Sequence, residues 1–231
     1  MGGKYNTKEN DGAIKYMNEI PGTSYSPPIK VTPLRRLIIF VLIPILKAVA
    51  SLNIETPENL PLQGSAILAC NHLSFFDGFA LQYAVKRPVY FMSKEEVFKN
   101  PFLRFFMYQI GAFPVARDIF DRSAVLQAGK VLKAGQVLGM FPEGKRTYGH
   151  GMIAAKTGTA HLAMKMNCPI NPVAMNGTEN IFKKPFKRAQ VKIKICPPIY
   201  PDDKMSAPEL TNKVMMEIAR NLPPSLRGVY S

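Results

Sequence analysis

From residue 61 onward, short apolar runs alternate with segments in which apolar residues recur at helical spacing. Short runs bounded by turn residues are typical of buried strands, and the wider spacing is typical of amphipathic helices. The pattern predicts these elements in order: strand Ser65–Cys70, helix Phe76–Lys86, strand Val89–Met92, helix Asn100–Ile110, strand Ala112–Ala116, helix Ser123–Ala134, strand Val137–Phe141, helix Ala154–Met166, strands Ile170–Met175 and Val191–Ile195, and helix Met205–Arg220. Such alternation predicts an α/β fold, with a mostly parallel mixed sheet flanked by helices. Lys192 and Lys194 alternate with apolar residues, which favours an edge strand.

A second apolar stretch, Leu37–Leu52, precedes this region. It contains 16 residues, of which Lys47 alone is charged, and Pro44 interrupts it. A membrane-spanning helix needs about 20 apolar residues, with a lower limit near 17. We therefore expect a helix that lies in or dips into one leaflet of a membrane. A buried helix of a soluble domain and a true membrane span are the alternatives.

Composition divides the chain further. Residues 1–30 are polar and rich in Gly, Asn, Ser and Pro, which is typical of a loosely held arm. We expect a polar N-terminal arm at residues 1–30, a membrane-associating helical segment at residues 31–56 and an α/β domain at residues 57–231. A length of 231 residues suits one sizeable domain with an appendage.

The charge of the chain indicates an anionic partner. The formal net charge is +14, and residues 131–200 hold 11 Lys and Arg against 2 Asp and Glu. Basic residues interleaved with an aromatic, as in residues 183–188, suit an anionic lipid surface, and nucleic acid would also satisfy them. Three cysteines, an odd number, favour a reducing compartment over a disulfide framework. Neither Cys168 nor Cys196 has a second ligand at metal-binding spacing, so no metal site is expected.

His72 and Asp77 are the first candidates for chemistry. His72 follows a predicted buried strand, and ligands of open α/β sheets bind beyond the carboxyl ends of strands. A carboxylate at Asp77 can accept a hydrogen bond from one imidazole nitrogen and leave the other as a base. The plain alternative is that Asp77 caps a helix and His72 is an ordinary loop residue. Cys70, two residues before His72, is a possible nucleophile, although a thiol inside an apolar strand is usually inert packing.

A second candidate lies at Phe141–Thr147, after another predicted strand. The turn contains Gly144, which presents backbone amides, and it is followed by the cations Lys145 and Arg146. Backbone amides and cations together suit a phosphate group. A third strand delivers Arg117 at its end, which alone is uninformative.

Together these blocks resemble the glycerolipid acyltransferase family. The order Asn-His-x-x-x-x-Asp, Gly-x-Phe-x-x-x-Arg, Phe-Pro-Glu-Gly-x-Arg and a later Pro-Ile-Asn-Pro-Val-Ala matches the four blocks of that family over roughly residues 60–200. The resemblance implies that His72 is the general base and that Asp77 orients it. It implies that Arg117, Glu143, Gly144 and Arg146 shape the site for the glycerol phosphate of the acceptor. We expect Lys145, Thr147 and Pro172 to bind substrate as well. Pro172 belongs to the last block, which concerns the acyl donor if it contacts substrate.

This chain departs from the family pattern at two positions. The family usually has Thr where Lys145 stands and Ser where Thr147 stands. Thr147 keeps the hydroxyl, whereas Lys145 adds a charge that puts the identity of the acceptor in doubt.

The resemblance implies an enzyme that moves a fatty acyl group to the free hydroxyl of lysophosphatidic acid. The donor would be acyl-CoA or acyl-carrier protein, used as a co-substrate, and no cofactor, metal or covalent intermediate is expected. Membrane phospholipids are the expected partners, with no nucleic acid, at the cytoplasmic face of a membrane. The alternatives are another lysophospholipid or lipid acceptor, a thioester or phospholipid hydrolase, and a non-catalytic basic membrane-binding protein.

Overall fold

The computed structural model describes residues 32–116, 121–183, 187–202 and 204–231. Arg117 and the whole polar arm at residues 1–30 therefore lie outside the described residues. The main helices and strands follow in chain order: α1 Pro33–Val49, β1 Ala50–Glu55, β2 Ala66–Cys70, α2 Asp77–Ala84, β3 Val89–Lys94, α3 Pro101–Gln109, β4 Ala112–Val115, α4 Arg122–Lys133, β5 Val137–Met140, α5 Gly158–Met166, β6 Ile170–Asn176, β7 Ala189–Ile195, α6 Ala207–Arg220 and α7 Pro224–Arg227.

The strands form a seven-stranded sheet in the order β1-β7-β6-β2-β5-β3-β4. Every neighbouring pair is parallel except β6 and β7, which run antiparallel. The α/β fold with a mostly parallel mixed sheet, predicted from the alternating pattern, is thus confirmed. Because β2 and β5 are parallel neighbours, the loops after them start at the same edge of the sheet.

The sheet separates two hydrophobic clusters, and β2 contributes to both because successive side chains of a strand point to opposite faces. Ile67 and Ala69 belong to the cluster that includes α4, α5 and α6. Leu68 and Cys70 belong to the other, which includes α2 and part of α1. All residues of β2 are buried, as expected for a central strand covered on both faces.

The N-terminal apolar segment, expected to be helical over residues 31–56, is a helix followed by a strand. Helix α1 ends at Val49, and residues 50–55, assigned from the sequence to the membrane-associating segment, form an edge strand parallel to β7. Buried Arg35 ties α1 to the sheet, because its Nη2 donates to the Val89 carbonyl oxygen at 2.9 Å. Among the described residues, no helix has the length and apolar character that crossing a bilayer requires.

The prediction of an edge strand at Lys192 and Lys194 was wrong. Strand β7 lies between β1 and β6, and its alternate residues are buried. Alternation in this strand shows that one face is open to solvent, and it carries no information about hydrogen-bonded neighbours. Lys192 Nζ instead pairs with Glu55 Oε1 on the neighbouring strand at 2.9 Å.

Candidate active site

His72 and Asp77 form a hydrogen-bonded pair at the carboxyl edge of the sheet. His72 lies just after β2, and Asp77 is the first residue of α2, so a short loop brings the two side chains together. The distance from His72 Nδ1 to Asp77 Oδ2 is 2.7 Å. With Nδ1 engaged, Nε2 is the nitrogen left to act as a base, and 14% of the imidazole side chain is exposed.

The Asp77 carboxylate is completely buried and surrounded by donors. Oδ2 accepts the backbone N–H groups of Leu73 at 2.7 Å and Ser74 at 2.9 Å. Oδ1 accepts the hydroxyl of Ser74 at 3.3 Å and a short hydrogen bond from the hydroxyl of Thr178. These donors fix the carboxylate, which in turn fixes the imidazole. Asp77 therefore accepts hydrogen bonds from backbone amides of the loop before α2. A simple helix cap would accept them from the first turn of the helix.

The plane of the His72 ring is set by stacking. The Phe141 ring lies 4.0 Å away, measured between centroids, at an angle of 17°. Phe141 immediately follows β5, the parallel neighbour of β2. The sheet order therefore places the aromatic side chain of the second motif against the histidine of the first.

Glu143 holds the backbone of the loop that carries His72. Its Oε1 accepts the backbone N–H of His72 at 2.8 Å, and its Oε2 accepts that of Ile153 at 3.1 Å. Thr147 adds to this clamp, because its backbone N–H donates to the His72 carbonyl oxygen at 2.8 Å. Both side chains are buried and neither lines the cavity described below. Both residues were predicted to bind substrate, and the contacts that they make in the structure are to the backbone of His72 and, for Glu143, of Ile153.

Burial raises the pKa of the Glu143 carboxyl from 4.5 to about 7, although two backbone donors oppose the shift. A raised carboxyl pKa means that the folded chain binds its proton more tightly than the unfolded chain. The corresponding stability is complete below pH 4.5 and is lost as the pH rises through about 7.

Glu143→Gln removes this titration. We therefore expect the free energy of unfolding of the wild type, relative to Glu143→Gln, to fall by up to about 3 kcal/mol between about pH 5 and pH 8. Urea denaturation of both proteins across this range measures the difference. A difference in the free energy of unfolding that stays constant with pH would contradict the raised pKa of Glu143.

The remaining residues of the second motif separate into two groups. Gly144 has a φ of 71°, a left-handed conformation that favours glycine, and it lines the cavity with Arg146. The Arg146 guanidinium lies over the Tyr148 ring, 5.4 Å from its centroid. Lys145 is exposed and does not line this cavity.

Pro172 and Cys70 lie inside the sheet. Pro172, in β6, pairs with Ala69 of β2, is buried and does not line the cavity, so it is not brought to the site. Cys70 is the last residue of β2, and burial, with the nearby Asp77 charge, raises the pKa of its thiol well above the ordinary value. A thiol that resists ionisation is a poor nucleophile, which favours His72 as the reactive group.

A cavity of about 600 Å³ opens at His72. Polar residues of its lining include Arg146 and Lys156, from the segment between β5 and α5. Apolar residues from α1, α2 and α3, and the residue that follows α3, line it as well, among them Ile39, Leu42, Ile43, Phe79, Met107 and Ile110. The cavity thus combines a base, cations and a long apolar wall. Within the described part of the chain, no cluster of three or more His, Cys, Asp or Glu is placed to hold a metal.

The sequence of this chain matches a known protein family. The family model described as Acyltransferase matches residues 51–176. The chain belongs to the acyltransferase family.

Individual relatives of this acyltransferase carry more specific names. It is 30% identical over 181 residues to the 1-acyl-sn-glycerol-3-phosphate acyltransferase of Bacillus subtilis (strain 168), covering 76% of this chain and 89% of that protein. It is 26% identical over 147 residues to the protein of that name from Escherichia coli (strain K12), covering 62% of this chain and 60% of that one. The crystal structure of the 1-acyl-sn-glycerophosphate acyltransferase of Thermotoga maritima superposes with a TM-score of 0.67 and 25% identity, over 81% of this chain and 79% of the other.

Sequence reasoning missed Lys156 in this acyltransferase. Lys156 stands outside the recognised blocks, two residues before α5, and its backbone N–H donates to the Pro142 carbonyl oxygen at 2.9 Å. Its side chain runs beside Gly144, where a Cβ added to the glycine would lie 3.5 Å from Lys156 Cε. Nothing in its local sequence marks it except a positive charge close to a glycine-rich loop.

Proposed function

We propose that this acyltransferase moves a fatty acyl group from acyl-CoA or acyl-carrier protein to the free hydroxyl of lysophosphatidic acid, giving phosphatidic acid. The observation that carries the proposal is the His72–Asp77 pair at a cavity lined by both cations and apolar side chains. The relatives named above support the same acceptor. A fatty chain and a phosphate on one substrate account for both kinds of lining.

The mechanism follows from the orientation of His72. Nε2 takes the proton of the acceptor hydroxyl as its oxygen attacks the thioester carbonyl, and Asp77 stabilises the imidazolium that forms. The C–S bond then breaks, and the imidazolium returns the proton to the leaving thiolate. The new ester is complete in one transfer, so no acyl-enzyme is required. Holding both substrates in line supplies much of the remaining acceleration.

The acceptor phosphate is placed by charge. Arg146 and Lys156 both line the cavity that opens at His72. Neither forms a side-chain ion pair with an acid among the described residues. Guanidinium and ammonium groups are the usual partners of a phosphate in proteins. We assign the phosphate to these two side chains.

The test compares acceptors that differ only in the phosphate. We expect Arg146→Met and Lys156→Met each to raise KM for lysophosphatidic acid about tenfold or more, as for the loss of a charged hydrogen bond. The preference of each variant for lysophosphatidic acid over monoacylglycerol, which lacks the phosphate, should shrink by the same factor. Phosphatidic acid formation is measured by mass spectrometry, with acyl-CoA and acyl-carrier protein as alternative donors.

Lys145→Met is the matched control, because Lys145 belongs to the same turn but does not line the cavity. Its KM should change less than about twofold, as for most surface substitutions. A larger effect at Lys145 than at Lys156 would overturn the assignment. Release of free fatty acid in place of phosphatidic acid would indicate a hydrolase.

We further propose that α1 and α3 rest on the membrane that contains the substrates. The two helices pack beside each other, and both line the cavity. Each also exposes aromatic side chains, with Phe40 74% and Phe102 77% accessible. Exposed cations, Arg36 and Arg104, stand on the same helices and suit anionic headgroups. The free cysteines, all buried, fit the cytoplasmic face in this proposal.

Vesicle sedimentation tests this surface. The double variant Phe40→Ser, Phe102→Ser is expected to bind phosphatidylglycerol vesicles at least about tenfold more weakly, because two apolar side chains no longer enter the bilayer. Leu62→Ser, which removes an exposed leucine outside these helices, is the control. Equal binding by the double variant and the control would contradict the proposed surface.

A further inference from the structure

The last residues of the chain are bound to the loop that leads into the active site. Met152 is held from both sides, because its N–H donates to the Leu226 carbonyl oxygen at 3.0 Å and its own carbonyl oxygen accepts the N–H of Val229 at 3.1 Å. Gly228 lies between them with a φ of 54°, and a Cβ there would clash with the Met152 carbonyl oxygen. The close approach of the two segments thus requires glycine.

Tyr230 completes this contact at the position next to Lys156. Its hydroxyl oxygen accepts the backbone N–H of Ala155 at 3.0 Å. The Tyr230 side chain packs against the hydrophobic cluster on the α6 face of the sheet, which fixes the position of the hydroxyl. An aromatic ring anchored in this way holds a defined point of the loop.

The same loop is bound on its other side by the second motif. The N–H of Ile153 donates to Glu143, and that of Lys156 donates to the Pro142 carbonyl oxygen. Glu143 in turn accepts the N–H of His72. The C-terminal residues and the second motif therefore both form hydrogen bonds to the segment 152–156, from opposite sides.

We propose that Tyr230 is a positioning residue for the acceptor site, acting through Ala155 on Lys156. The Lys156 side chain is exposed, so its place at the cavity depends on the backbone that carries it. The Tyr230 hydroxyl fixes that backbone one residue away. This inference rests on the proposed function for the identity of the acceptor, because the quantity affected is the binding of its phosphate.

Tyr230→Phe tests the inference, since it removes the hydroxyl and keeps the ring. We expect KM for lysophosphatidic acid to rise about threefold to tenfold, the size of one lost hydrogen bond, with kcat nearly unchanged. Tyr200→Phe, which removes the hydroxyl of an exposed tyrosine, should leave both constants unchanged. Thermal melting should show the same midpoint for both variants within a few degrees.

A double-variant cycle separates positioning from a general structural role. If Tyr230 acts through Lys156, Tyr230→Phe should have no further effect on KM in a Lys156→Met background. An equal rise of KM in both backgrounds would overturn the inference, as would an unchanged KM in Tyr230→Phe alone.

Hydrogen exchange tests the contact without any substrate. The peptide covering residues 150–158 should exchange faster in Tyr230→Phe than in the wild type or Tyr200→Phe, because the Ala155 amide loses its acceptor. Unchanged exchange would overturn the inference even if the enzyme is active. If Tyr230→Phe exchanges faster and the wild-type protein forms no phosphatidic acid, the contact is supported and the proposed function is rejected.

Discussion

Replacing His72 by alanine is expected to lower kcat for acyl transfer by a factor of about 10²–10⁴, the usual contribution of a positioned general base. The imidazole is bound to Asp77 through Nδ1 and stacked on Phe141, so its second nitrogen has one orientation towards the cavity. Phosphatidic acid formed from lysophosphatidic acid and acyl-CoA is measured under single-turnover conditions, which isolate the chemical step from product release.

Two histidines provide matched controls for this variant. His150 and His161 are exposed and do not line the cavity, so alanine at either position should leave kcat within about twofold of the wild type. The thermal midpoint of His72→Ala shows whether the fold is retained. A folded His72→Ala protein with more than a tenth of the wild-type rate would remove His72 from the role of base.

Replacing Asp77 by asparagine is expected to lower kcat by about 10³–10⁴, the scale found when an orienting carboxylate of a catalytic histidine becomes an amide. Asparagine can place its oxygen at the Oδ2 position, where it still accepts from Leu73 and Ser74. Its amide group then faces the hydroxyls of Ser74 and Thr178, which can rotate to accept. The fold should therefore survive, while the charge that stabilises the imidazolium is lost.

Thr178→Val is the matched comparison for Asp77→Asn, because it removes one donor to the same carboxylate and leaves the charge. We expect its kcat to fall less than about tenfold, since the carboxylate keeps its bonds to the loop and to His72. Steady-state kinetics give kcat for both variants, and thermal melting shows whether both are folded. Asp77→Asn activity equal to that of Thr178→Val would show that the charge of Asp77 does not matter.

The central α/β fold follows from the sequence because its signals are local. Buried strands such as β2 and β5 are short apolar runs, and the helices between them repeat apolar residues at their own spacing. The predicted strand Ser65–Cys70 differs from the observed β2 by one residue. Strand β1 escaped prediction because its apolar residues continue those of α1 without a turn between them.

The His72–Asp77 pair was also accessible from sequence. The two residues are five positions apart, across a strand end and a helix start, so a short loop alone brings them together. The catalytic assignment of the pair remains a prediction that the variants above test. Its supporting contacts are of another kind, because Thr178 lies 101 residues from Asp77, and Phe141 reaches His72 through the pairing of β2 with β5.

By itself, the sequence determined the alternating elements, the basic character and the motifs that border the site. Only the tertiary structure decided that Glu143 binds backbone amides, that Lys156 joins the cavity and that Tyr230 holds the loop between them. The physical reason is that these contacts join distant segments through backbone N–H and carbonyl groups. Every residue except proline has both groups, so no pattern of side chains marks where such contacts form.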